Sequence, residues 1–113
     1  MANPITEAAD KLGKMISDSP QAAALRTARQ DLDQHADVLD LLKRYQEQAG
    51  RIQKLEEDNK PIEVEDKRQL QDLHGSLIGN EVFKKFTMAQ MEYVDLMRQV
   101  TASLRRQLAE TEK

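Results

Sequence analysis

Three features of this 113-residue sequence predict an all-α fold. The composition leans on Ala, Leu, Gln, Glu, Lys and Arg, all good helix formers, with only four Gly and three Pro to interrupt them. Asn3-Pro4 and Ser19-Pro20 each place a capping side chain before a proline, which has no N–H to lose at the first helical position. Apolar residues also recur at steps of three and four rather than two. A chain of this length is expected to make one domain around one core. The expected architecture is an elongated bundle of about five helices with a long antiparallel helical hairpin.

The first helix, about residues 4–18, starts at the Asn3-Pro4 cap and stripes Ile5, Ala8, Ala9, Leu12, Met15 and Ile16 along one side. Gly13 within it costs about 1 kcal/mol relative to Ala, so it is read as the mark of a close helix crossing. The second, about 20–32, opens at Ser19-Pro20 and carries Leu25, Ala28 and Leu32 on one face. The third, about 34–58, has Asp33 or Asp37 as its cap and holds Val38, Leu42, Tyr45, Ala49 and Ile52 in heptad register. Asn59-Lys60-Pro61 stops it, because a proline disfavours a helical residue before it. The fourth, about 63–78, is more polar, with Leu70, Leu73 and Leu77 to one side. Gly79 then ends it and Asn80 caps the fifth, about 81–110.

The fifth helix has two adjacent stripes. Val82, Phe86, Ala89, Tyr93, Leu96 and Val100 form one, with Phe83, Met97, Leu104 and Leu108 beside it. A face that wide can serve more than one neighbour. Thirty helical residues span about 45 Å, against about 34 Å for the diameter of a compact domain of this size. The third helix, at roughly 37 Å, is expected to pair antiparallel with the fifth across the short fourth. Such a bundle leaves apolar surface that the shorter helices do not cover, and a second copy in a symmetric dimer is the commonest cover. The expected interface is Val38, Leu42, Tyr45, Ile52, Phe83, Phe86, Tyr93, Met97, Val100 and Leu104.

Chemistry is mostly excluded. Without cysteine there is no thiol nucleophile, disulfide or Cys-held metal. The N-terminal stretch lacks the basic start and apolar run of a signal peptide, and no stretch approaches eighteen apolar residues, so a cytoplasmic chain is expected. A net charge of -3 and a pI near 5.4 oppose non-specific binding to nucleic acid or anionic membrane. Lys84, Lys85, Arg98, Arg105 and Arg106 leave a direct RNA-binding role of the fifth helix as the alternative reading.

Of the two histidines, His35 stands four residues after Asp31, a step that could ligate a metal on a continuous helix. Acids gathered at a helix start explain the cluster more simply. His74 follows Gln71, not the Glu that a di-iron bundle requires, and is read as a surface or boundary residue. Glu56, Glu57, Glu63, Glu65 and Asp66 around Pro61 read as solvated helix ends. No glycine-rich phosphate loop occurs. No catalytic residue, cofactor or metal ligand is assigned, and the chain is expected not to be an enzyme.

The runs AADKLGKMISDSP, SPQAAALRTARQDLDQHADVLDLLKRYQEQAGRIQKLEEDNKPI and GNEVFKKFTMAQMEYVDLMRQVTASL together resemble the YlbF/YmcA family of small helical bacterial proteins. The shared pattern is a short helix ending in a Ser-containing turn, a second ending in Asp33, and then Ala36 and the pair Leu41-Leu42. A polar loop follows, and an Asn80-Glu81 cap opens a long last helix. The resemblance implies an all-helical, usually self-associating protein without known enzymatic activity. Some members act in a cytoplasmic complex that modulates RNase Y-dependent mRNA processing, with effects on competence, sporulation and biofilm formation. Members of that complex have been linked to iron–sulfur clusters through cysteines in tails outside the helical core. This chain, having no cysteine, is expected to be a shorter, tail-less member.

Overall fold

The structure, a computed structural model, describes residues 3–111. Among them are five helices and no strand: α1 (Pro4–Ser17), α2 (Pro20–Asp33), α3 (Ala36–Glu57), α4 (Val64–Ile78) and α5 (Glu81–Thr111). The all-α class holds, and the helix ends fall within one or two residues of those read from the sequence.

The caps explain why. Asn3 Oδ1 accepts the Ile5 and Thr6 amides at 2.8 and 3.4 Å, with Pro4 in the first turn. Ser19 Oγ accepts the Ala22 amide at 3.2 Å, and Asn80 Oδ1 accepts that of Phe83 at 3.1 Å. One expected cap is replaced. Neither Asp33 nor Asp37 caps α3, because α2 runs on through Asp33 and the N-cap position falls to His35, whose side chain makes no capping bond. The His35 carbonyl opens the helix by accepting the Val38 and Leu39 amides, while its Nδ1–H donates to the Asp31 carbonyl at 2.7 Å. Gly79 ends α4 in the right-handed region, so it does not use the left-handed conformation open to glycine.

The chain divides into two compact units. One takes the residues up to Ala28 and from Thr87 on; the other is Arg29–Phe86.

In the second unit α3 packs on α4. Gln48 and Arg51 meet Asp66 while Tyr45 meets His74, so the two helices run antiparallel. The sequence pointed to α5 as the partner of α3; the partner is α4. Six residues separate the two helices, and a connection that short makes sequence neighbours into antiparallel neighbours. Leu32, Val38 and Leu77 are fully buried, and Leu70 and Leu73 are half-buried on the α4 side. Asp66 is the exception to the solvated acidic end expected here. It is 7% exposed, its carboxylate lies 3.4 Å from Arg51, and its carbonyl accepts from Gln48 at 2.9 Å.

The first unit is much thinner inside. Among its described residues the buried hydrophobic ones are two alanines, Ala22 and Ala89. No residue of α1 is buried, although its apolar residues lie on one side. Gly13 makes no close crossing among the described residues: a Cβ there would meet nothing within 4 Å.

Candidate interaction surface

Apolar side chains on helices reach solvent when no neighbouring element lies over them, so exposure along each stripe maps where cover is missing. On α5 the inner stripe starts half-buried at Val82, Phe83 and Phe86, passes through buried Ala89, and stays half-buried at Tyr93, Leu96, Met97 and Val100. Its next members in register, Leu104 and Leu108, are 53% and 62% exposed. Every residue from Thr101 to Ala109 is exposed. The stripe continues in sequence while its cover does not.

On α1 the same thing happens at the opposite end of the chain. Ile5 is 80% exposed and Met15 is also open, with only Leu12 and Ile16 half-covered. Neither Ile5 nor Met15 was in the interface expected from the sequence. A strongly one-sided 14-residue helix was the available signal, since a short amphipathic helix that covers nothing must itself be covered.

The expected interface residues therefore divide. Val38 is fully buried in the second unit, where Leu42, Tyr45 and Ile52 are half-buried on α3. The Tyr45 ring sits 5.9 Å from that of His74. Phe83 and Phe86 belong to the second unit, and Tyr93, Met97, Val100 and Leu104 to the first.

Several ion pairs among the described residues lie at the surface. Arg29 pairs with Asp33 at 3.3 Å and Arg44 with Asp40 at 3.9 Å, both within one helix and both largely exposed. Between α3 and α4 lies an open groove of about 700 Å³ edged by Arg44, Glu47, Arg51 and Asp72, in which both signs of charge are present. His35 lies 3.7 Å from the Asp31 carboxylate. Among the described residues no three His, Asp or Glu side chains gather as a metal would need. Of the cations named for RNA contact, Lys84 reaches Glu81 at 3.4 Å, and Lys85, Arg98, Arg105 and Arg106 are exposed. No helix among the described residues is long and apolar enough to cross a membrane.

Five helices among the described residues, with apolar faces open to solvent on α1 and α5, define an all-α protein. The family model described as "Control of competence regulator ComK, YlbF/YmcA" matches residues 5–109, and the chain belongs to that family, a regulatory one. Its structure is similar to that of Bacillus subtilis RicA solved in complex with RicF, with a TM-score of 0.83 over 96% of each chain. At 17% identity this likeness is one of fold. No curated protein matches.

Proposed function

We propose that the chain is a non-enzymatic, self-associating interaction module. It serves in the cytoplasm as an adaptor in RNase Y-dependent RNA processing or developmental regulation. The observation that carries this reading is the run of α5 from Thr101 to Ala109, where an apolar stripe continues without cover while α1 leaves Ile5 and Met15 equally open. A similar fold found in complex with another protein supports it.

The apolar gain and the cost of association are of similar size. Full burial of an Ile, Leu or Met side chain contributes about 1.5–3 kcal/mol. Covering the exposed parts of Ile5, Met15, Leu104 and Leu108 on each of two copies then contributes on the order of 10 kcal/mol. Loss of rigid-body freedom costs about 4–15 kcal/mol, so the half-buried residues bordering the stripe decide how tight the assembly is. Self-association at micromolar concentration, worth about -8 kcal/mol, is expected where those bordering residues are covered as well.

The test is light scattering after size exclusion. Wild type is expected at a multiple of 12.9 kDa. The Leu104→Asp, Leu108→Asp double variant, altered only at exposed positions, is expected to keep its helical circular dichroism and fall to a monomer. A wild-type monomer at that concentration removes the self-association.

The second reading, direct RNA binding, rests on the three arginines and no acid between Leu96 and Ala109. Binding to RNA that weakens steeply with added salt would favour it.

A further inference from the structure

A second face of α5, about a third of a turn from the inner stripe, carries Met91, Val94, Arg98, Thr101 and Arg105 at alternating steps of three and four. All five are exposed, Met91 at 72% and Val94 at 42%. Val94, Arg98, Thr101 and Arg105 of this face, with Tyr93, Met97 and Ala102, line an open depression of about 690 Å³. Among the described residues Arg98 and Arg105, like Arg68 and Arg106, have no hydrogen bond or ion pair, whereas Arg26, Arg29, Arg44 and Arg51 each have one. No acid lies between Leu96 and Ala109, in a chain whose net charge is -3.

Charge decides what fits such a face. Two copies meeting through it would bring four unpaired arginines together, and like charges opposed across an interface disfavour that pairing. Single-stranded nucleic acid stacks its bases on exposed aromatics, and the one aromatic here, Tyr93, is half-buried. Two apolar residues, Met91 and Val94, followed in the same register by Arg98 and Arg105 seven residues apart, about 10.5 Å along the axis, match another helix that sets acids at the same interval beside its apolar residues.

We propose that this face of α5 docks an amphipathic helix of a partner protein, one with an apolar heptad seam flanked by Glu or Asp seven residues apart. The inference rests on reading the chain as an interaction module, and it names the chemistry of the partner.

The experiment titrates the full chain against two labelled three-heptad helical peptides with the same leucine seam, one flanked by Glu and one by Lys, and against a short oligouridylate. The Glu peptide is expected to bind about three- to tenfold more tightly than the Lys peptide, as two exposed ion pairs allow. Arg98→Glu with Arg105→Glu is expected to invert that preference, and Arg98→Gln with Arg105→Gln to abolish it. Equal binding of both peptides by wild type, binding of neither, or binding of the oligouridylate in place of the Glu peptide overturns the proposal. Light scattering on the same samples reads self-association separately. A monomer that prefers the Glu peptide removes only the assembly, and an assembled chain with no preference removes only the docking face.

Discussion

Asn59 has a φ of 54°, the only positive value outside glycine among the described residues, and it closes α3. The Lys60 amide reaches back to the Leu55 carbonyl at 2.8 Å and the Asn59 amide to that of Glu56 at 3.1 Å, the paired bonds of a Schellman ending. Asn tolerates the left-handed region better than other side chains, so Asn59→Ala should cost about 1 kcal/mol and Asn59→Gly should be neutral or better. Urea midpoints of the three proteins check the order. Glu63 is the N-cap of α4 but makes no side-chain capping bond. The shorter Asp at that position keeps the charge and can reach the helix amides, so Glu63→Asp should raise stability by about 1 kcal/mol. Gly50 lies inside α3 with nothing within 4 Å of an added Cβ, and Gly50→Ala should stabilise by a similar amount, about 0.5–1 kcal/mol.

At the scale of elements, the α3–α4 hairpin is where substitutions should be most costly. Leu77 is fully buried, and Leu77→Ala should destabilise by about 2–5 kcal/mol. Asp66 is buried against a solvent-exposed Arg51, so Asp66→Ala should cost less, about 1–2 kcal/mol, and denaturant titration should rank the two accordingly. The helices themselves were legible because their starts are marked by groups that act locally: Asn3, Ser19 and Asn80 hold their helix amides as a sequence reading expects. The start of α3 was not, since His35 opens it through its carbonyl and leaves no side-chain signature. Pairing was also hidden. The heptad of Val38, Leu42, Tyr45, Ala49 and Ile52 shows that α3 has a seam, but a seam does not say which helix fills it. The burial of Asp66 was readable after all, because it stands four residues before Leu70 in the stripe that continues through Leu73 and Leu77.

At the scale of the molecule, the sequence contained more apolar helix face than its helices cover. The length of α5, at 31 residues about 46 Å, was the clue, and the exposed run from Thr101 to Ala109 is where the surplus lies. The share carried by α1 was harder to see, since a stripe of Ile5, Leu12, Met15 and Ile16 reads the same whether its cover comes from the same chain or from another. A second copy, we propose, covers the end of α5. Amide hydrogen exchange across Thr101–Ala109, followed as protein concentration is raised through the micromolar range, tests it most directly. Slower exchange in this segment with rising concentration is the predicted result; rapid exchange that does not change with concentration would contradict it.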